Sequence, residues 1–320
     1  MQNSKNIWLV GTGLMGIEYA KVLKSLGVTF VPIGRGKQSC DKFTSETGLK
    51  SIEGGIDTFL QSNPVIPDGA IIAVGIEALS DTTIKLVEYG VKNILLEKPG
   101  IAYIPEIEVL AKLAYSNNAN ILLAYNRRFY SSVLKAKELI EADGGVKSFH
   151  FEFTEWSHSI GTMQKTIAEH HNWFLGNSTH LIDTAFYLCG IPKEMSCFHA
   201  GSLYWHPSGS VYSGAGISNK NALFSYIANW EAPGRWNLEI MTQKHRYIFK
   251  PMEKLQVMNI GSVAVEFVSD IDYSLDEQFK PGLYLQTKAF LEADYSNFIT
   301  ISAQKEIVQK FYSKISNYKY

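Results

Sequence analysis

Ile7-Trp8-Leu9-Val10-Gly11-Thr12-Gly13-Leu14-Met15-Gly16 is an apolar run of strand length that breaks into three glycines spaced G-x-G-x-x-G. The apolar residues Ile17, Ala20, Val22 and Leu23 follow with the spacing of a helix. Strand, glycine turn and helix in that order form a dinucleotide-binding fingerprint rather than an isolated motif. Gly11 permits the tight turn, Gly13 lets the backbone approach a pyrophosphate, and Gly16 lets the helix pack closely on the strand. The helix N-terminus adds unpaired N–H donors and partial positive charge, so Thr12, Leu14 and Met15 join the glycines as cofactor contacts. The competing reading is a strand-turn-helix whose glycines serve packing alone.

An NAD-specific loop continues to a carboxylate about twenty positions on, where it accepts hydrogen bonds from the ribose diol. Here the second strand, Val28 to Ile33, runs into Gly34-Arg35-Gly36-Lys37-Gln38-Ser39, with cations and a hydroxyl in that place. A guanidinium binds a phosphate in a bidentate way. The expectation is NADP(H) in preference to NAD(H), with Arg35 as the main contact, Lys37 and Ser39 assisting, and Gly34 at the turn. A solvated basic turn is the alternative.

Strand and helix signals alternate through residue 125: strands near 6–10, 28–33, 70–75, 92–97 and 119–125, helices near 14–26, 39–47, 79–89 and 105–116. Continuous apolar strands such as Ala70-Ile71-Ile72-Ala73-Val74 suit a parallel sheet covered on both faces. The fold class is therefore α/β, with an N-terminal doubly wound parallel sheet. Ligands of such sheets bind at the carboxyl ends of the strands, where Gly75, Glu97-Lys98-Pro99 and Tyr125-Asn126-Arg127 emerge.

Past residue 145 strand-like runs replace the alternation, at 146–156, 194–203, 222–231, 235–242, 245–250 and 254–268, with helices near 129–142, 178–189, 284–295 and 301–316. Several runs alternate apolar with polar residues, as expected of a large, open, mainly antiparallel sheet with one buried face. The last helices either cover this sheet or return to the nucleotide domain. The expected division is a dinucleotide-binding domain over 1–125 and a substrate-binding and oligomerisation domain over 126–320.

With 320 residues, 46% hydrophobic and 19% charged, the chain has the composition of a two-domain globular protein. A net charge of −1 offers no general attraction to nucleic acid or to an anionic membrane. No apolar stretch reaches the roughly 18 residues of a membrane span, and the N-terminal stretch lacks the apolar segment of a signal peptide. The three cysteines, Cys40, Cys189 and Cys197, lack metal-ligand spacing and suit reduced thiols in a cytoplasmic protein; no metal is expected.

The ordered motifs GTGLMG at 11–16, EKP at 97–99, AYNRRF at 124–129 and HLID at 180–183 resemble the glucose-fructose oxidoreductase, inositol dehydrogenase and rhizopine-catabolism (Gfo/Idh/MocA) family of NAD(P)-dependent oxidoreductases. They span the first 183 residues, and the segment Phe279 to Tyr284 also looks familiar for the family. The resemblance implies a Rossmann domain followed by an α/β domain with a large open sheet. It also implies that Lys98 meets a substrate hydroxyl or carbonyl beside the nicotinamide, with Glu97 at the cofactor and Pro99 often cis. Burial beside an oxidised nicotinamide disfavours the ammonium form, which suits acid–base work, and in reduction its charge stabilises a developing alkoxide.

His180 is the histidine that family members use at the substrate, where it relays a proton with Lys98 or holds the reacting hydroxyl; held by Asp183, it would instead be structural. Asp183 reads as a helix and supporting residue. The family's dehydrogenases carry an aspartate four residues before this histidine, and here that position is Gly176. Asn177 can orient a hydroxyl but cannot take its proton. His170 and His171 are substitutes or ordinary loop residues. Asn126, Arg127 and Arg128 fall near substrate by resemblance; one arginine binds hydroxyls, a carboxylate or a phosphate, and the other ties the domains together. Trp173, near the histidines, and Tyr284 complete the substrate candidates.

These readings converge on an NADP(H)-dependent oxidoreductase acting on a secondary alcohol or ketone of a sugar, nucleotide-sugar or cyclitol, as a homodimer or homotetramer joined through the open sheet. Two alternatives share the fold: a dinucleotide-binding sensor without turnover, and a glycoside-processing enzyme that oxidises transiently with tightly held cofactor.

Overall fold

A computed structural model describes residues 5–317. The expectation about the N-terminal stretch falls partly on residues 1–4, which lie outside the described residues. Two compact units divide the chain, residues 5–126 with Leu275–Glu306, and Arg127–Ser274 with residues 307–317.

In the first unit β1 (Asn6–Val10), β2 (Thr29–Ile33), β3 (Gly69–Ile72), β4 (Asn93–Leu96) and β5 (Asn120–Leu123) form a parallel sheet in the order β5-β4-β3-β1-β2. The connections carry α1 (Leu14–Ser25), α2 (Lys37–Thr47), α3 (Gly55–Gln61), α4 (Leu79–Tyr89) and α5 (Glu106–Ser116). Strand interiors such as Ile7, Leu9, Ile71 and Leu95 are buried, as helices on both faces require. Strand order reverses between β1 and β3, and the crevice at such a switch point is where open α/β sheets bind ligands. Strands β3, β4 and β5 stop earlier than expected, which leaves Gly75, Glu97-Lys98 and Asn126 outside the ladder. Helix α2 starts two residues earlier than expected, and α3 is unanticipated because its stretch is short and glycine-led.

The second unit contains α6 (Ser131–Ala142), β6 (Ser148–Glu152), the short helices α7 (Ser157–Ile160) and α8 (Ile167–His171), and α9 (Thr179–Cys189). It continues through β7 (Pro192–Ala200), β8 (Val211–Ser218), β9 (Leu223–Asn229), β10 (Asn237–Met241), β11 (His245–Phe249), β12 (Gln256–Asn259) and β13 (Glu266–Phe267). They form one sheet in the order β13-β12-β11-β10-β6-β9-β8-β7, antiparallel throughout except for β6 beside β9. One face is aromatic: Phe149 stacks on Phe224 at 5.1 Å and Phe151 on Tyr226 at 5.4 Å, with Phe186 of α9 edge-on to Phe151 at 5.7 Å. On the other face Phe198, Ser213 and Ile227 are in register across β7, β8 and β9, and both Phe198 and Ile227 are exposed.

Sequence reading missed β8, since Gly209-Ser210-Val211-Tyr212-Ser213-Gly214-Ala215-Gly216 looks like a loop. Its glycines make room for neighbours: a Cβ on Gly214 would stand 2.4 Å from the Tyr226 ring, and one on Gly216 2.2 Å from the Glu194 carbonyl. Tertiary packing decides these positions, not strand propensity.

From Leu275, within α10 (Ser274–Gln278), the chain returns to the first unit, so the second domain expected over 126–320 gives up residues 275–306. Helix α11 (Leu283–Glu292) buries Leu283, Phe290 and Leu291 in the core that holds Ile17, Ala20 and Leu23 of α1. Strand β14 (Ile299–Thr300) pairs antiparallel with β5 and covers that edge of the sheet, and α12 (Ile301–Ile307) follows. Helix α13 (Ser313–Ser316) packs on β7 and β8 of the second unit. Among the described residues no helix is long and apolar enough to cross a membrane.

Candidate functional site

The three glycines of the loop answer to different constraints. Gly11 has φ of +117°, and a Cβ there would lie 2.3 Å from the Ala73 carbonyl at the end of β3. A Cβ on Gly16 would lie 2.0 Å from the Gly11 carbonyl. Around Gly13 a Cβ would meet nothing within 4 Å, so the protein leaves that approach open. Gly13 is also the N-cap of α1, with no side-chain cap and no acidic residue in the first turn. The first amides of α1 are therefore unspent by side chains, which fits an anion such as a pyrophosphate.

The end of β2 is tied to this loop. The Thr12 hydroxyl donates to Ser39 Oγ at 3.1 Å, and Ser39 Oγ donates to the Gly36 carbonyl at 2.8 Å. A Cβ on Gly34 would fall 2.5 Å from Thr12 Oγ1, so only glycine fits between them. Arg35 and Lys37 are exposed, and Lys37 opens α2, whose N-cap Gly36 provides no side-chain cap and whose first turn holds no acid. A cation in the first turn opposes the helix dipole by about 0.3–1 kcal/mol, and a bound anion relieves that conflict.

At the end of β4, the Glu97 amide donates to the Ile72 carbonyl at 3.0 Å and the Lys98–Pro99 peptide is cis, as the resemblance implies. Glu97 points back into the unit and accepts 2.9 Å from the hydroxyl of Tyr19, a buried residue of α1. Burial raises the Glu97 pKa, offset in part by Lys98, Tyr19 and Lys280, while burial and the Glu97 charge together push the Tyr19 phenol well up. Glu97 thus braces the Lys98 segment against the glycine-loop helix. Asn126 is buried, and its amide donates 2.9 Å to the Pro281 carbonyl, which brings the Lys280-Pro281-Gly282 turn to the same edge of the sheet. Tyr284 lies in α11, where its ring packs on Phe279 at 5.1 Å and on the apolar core of the first unit.

The two adjacent arginines part company. Arg128 is buried and locked to Asp183. Against the cost of burial, that carboxylate holds the guanidinium pKa above its ordinary value. The ion pair lies inside the second unit and fastens the start of that unit to α9; it is not the tie between domains that the sequence suggested. Asp183 is accordingly engaged by Arg128. Arg127 instead lies over the Trp236 ring at 4.7 Å. Its Nε is buried without a hydrogen-bond partner among the described residues, and burial lowers its pKa.

His180 is buried on the first turn of α9, its ring 6.4 Å from Trp236. The turn before it, Phe174–Ser178, is π-helical, a widening frequent at functional sites. That turn presents Asn177 Nδ2 and Ser178 Oγ to Glu155 Oε1 at 2.9 and 2.8 Å. Glu155, 1% exposed, was not anticipated from sequence. It follows β6 and Phe153, where Phe149, Phe151 and Phe153 are buried, and no local signal marks it. Its second oxygen lies 3.6 Å from Arg235 Nη1, and the Trp173 indole faces the same carboxylate. Burial raises its pKa, with hydrogen bonds from Ser178 and Asn177 and the Arg235 charge opposing. Elsewhere, His170 Nε2 is 3.1 Å from the Ile160 carbonyl and packs near Trp205, while His171 is exposed.

No family model matches the chain. It is 23% identical over 237 residues to an uncharacterized oxidoreductase of Streptococcus pneumoniae serotype 4, across 71% of this chain. The chain spans 63% of that relative's length. Levoglucosan dehydrogenase in complex with NADH superposes with a TM-score of 0.77 at 17% identity, covering 98% of this chain and 96% of that one. UDP-N-acetylglucosamine 3-dehydrogenase from Acidithiobacillus ferrooxidans superposes with a TM-score of 0.71 at 13% identity, covering 97% and 96%. This chain has their fold. At such identities the likeness speaks for the two-domain α/β architecture, and the chemistry must be argued from the residues.

Proposed function

We propose that this chain is an NADP(H)-dependent oxidoreductase acting on a secondary alcohol or ketone of a sugar, nucleotide-sugar or cyclitol. The observation that carries the reading is the glycine loop after β1, crowded at Gly11 and Gly16 and open at Gly13, with its helix hydrogen-bonded through Tyr19 to Glu97 in the segment that bears Lys98 two strands away. Its relative is named an oxidoreductase, and structures of its fold act on levoglucosan and on a nucleotide-sugar.

The residues present fit a nicotinamide dinucleotide: the Gly11–Gly16 loop for the pyrophosphate, and Arg35, Lys37 and Ser39 for a 2′-phosphate. Such a cofactor supplies the hydride acceptor or donor. Preference for the phosphorylated form follows from two cations and an uncapped helix start where a ribose-binding carboxylate would stand. Lys98 takes the proton from the reacting hydroxyl on oxidation and returns it on reduction, its charge stabilising the alkoxide. His180 holds the reacting oxygen, and Asn177, with one amide hydrogen committed to Glu155, orients a neighbouring hydroxyl. The exposed, registered face of Phe198 and Ile227 supports a homo-oligomer built on the second sheet, to be checked by light scattering.

Fluorescence titration with NADPH and NADH, followed by turnover on a panel of sugars and keto-sugars, tests the reading. NADPH binds at least about tenfold more tightly than NADH, about 1.4 kcal/mol, and Arg35→Ala abolishes the difference. Lys98→Ala keeps NADPH binding and loses turnover. Equal affinities would remove the NADP preference, and tight binding without turnover across the panel would move the protein to the sensor class.

A further inference from the structure

Around Trp236 the second unit gathers polar groups that its own packing leaves incomplete. Arg127 and Arg235 lie over the Trp236 ring at 4.7 and 5.4 Å, and the ring of His180 is 6.4 Å away. Arg127 Nε and Trp236 Nε1, both donors, are buried without a hydrogen-bond partner among the described residues. No carboxylate among them forms an ion pair with Arg127. A desolvated guanidinium without a counter-charge is costly, and native structures keep one where something else completes it. Arg128, next in sequence, shows the contrast, since its guanidinium makes two hydrogen bonds to the carboxylate of Asp183.

The nearby acids do not close the account. Glu155 Oε1 is taken by Asn177 and Ser178, and Oε2 sits 3.6 Å from Arg235, beyond hydrogen-bond length. Burial disfavours the charged form of Glu155, and such charge as it carries acts on both Arg235 and Arg127 without a hydrogen bond to either. Glu253 acts on Arg127 only through space. Two cations near the Trp236 ring, one of them also over the Trp156 ring at 4.6 Å, and the buried Trp236 N–H make a donor-rich, positively charged setting. A neutral hydroxyl would satisfy one of these donors, whereas a carboxylate or phosphate answers both the donors and the charge.

We propose that Arg127 and Arg235, with the Trp236 indole between their claims, form an anion subsite, so that the substrate of this protein is a sugar bearing a carboxylate or a phosphate. The assignment rests on the oxidoreductase reading only for the word substrate; the anion subsite stands on the second unit alone.

The test is calorimetric titration of the full chain with glucuronate, glucose 1-phosphate and glucose, with and without NADPH. At least one anionic sugar binds about tenfold or more tightly than glucose, and the stronger of the two tells carboxylate from phosphate. Arg127→Gln and Arg235→Gln each remove that advantage, so that the anionic sugar and glucose bind with similar affinity. Arg235 is exposed, so its variant decides the matter if Arg127→Gln fails to fold. Glucose binding as well as both anionic sugars, or an advantage that survives in Arg235→Gln, overturns the proposal. NADPH binding without an anion advantage defeats this inference alone; an anion advantage without dinucleotide binding defeats the oxidoreductase reading alone.

Discussion

Arg128 and Asp183 are joined by two parallel hydrogen bonds, Nε to Oδ2 at 2.8 Å and Nη2 to Oδ1 at 2.7 Å, with both side chains buried. Removing one partner strands the other charge in the interior. Arg128→Ala and Asp183→Ala are each expected to cost about 3–5 kcal/mol in denaturant unfolding, and the double variant less than their sum. Additive losses would show that the pair does not act as a unit.

The glycine loop separates folding from binding. Gly11→Ala and Gly16→Ala place a Cβ 2.3 and 2.0 Å from backbone atoms and should yield unstable protein. A Cβ on Gly13 would meet no protein atom within 4 Å, so Gly13→Val should fold, with NADPH affinity down by about 100-fold or more. Thermal melts beside dinucleotide titrations make the comparison. A Gly13→Val protein that binds NADPH normally would end the pyrophosphate assignment.

Glu155 has its pKa raised by burial, so as pH rises the unfolded chain gives up this proton before the folded one does. The carboxyl therefore supports the fold most when protonated, and that support falls as pH climbs from the ordinary carboxylate value through the raised one. Glu155→Gln keeps an oxygen for Asn177 and Ser178 and should remove this component of the fall. Urea midpoints of both proteins from about pH 4 to about pH 8 read it directly. Parallel curves would mean that Glu155 stays ionised at no cost.

His206 shows the opposite limb. Burial lowers its pKa to about 4, its Nδ1 lies 2.9 Å from the Gly209 carbonyl, and it is 1% exposed. The folded state holds it neutral while the unfolded chain protonates near the usual 6.5. Stability is expected to fall as pH drops from about 6.5 to about 4, by on the order of 3 kcal/mol. His206→Asn, which can still donate to Gly209, should flatten that limb. An unchanged acid profile would show that other groups govern it.

Periodicity and turn chemistry are local, which is why GTGLMG, the parallel strands and the helix bearing His180 could be read from the chain. Arg35 and Lys37 were legible as a pair, yet only the structure shows Lys37 opening a helix. Glu155 was hidden because its value lies in what α9 and its π-helical turn bring to it, from residues 22 and 23 positions away. Strand β8 was hidden because Gly214 and Gly216 answer to Tyr226, Phe224 and the Glu194 carbonyl on neighbouring strands.

By itself the sequence determined the doubly wound domain, the phosphate-type loop and the order of the strand-end motifs, since each depends on residues close together along the chain. Tertiary structure decided which arginine is spent and which is not. Asp183 lies 55 residues from Arg128, and only folding makes it the partner of that arginine rather than of Arg127. It also decided that residues 275–306 complete the first unit, because the apolar face of α11 and the open edge of β5 are each satisfied by the other end of the chain.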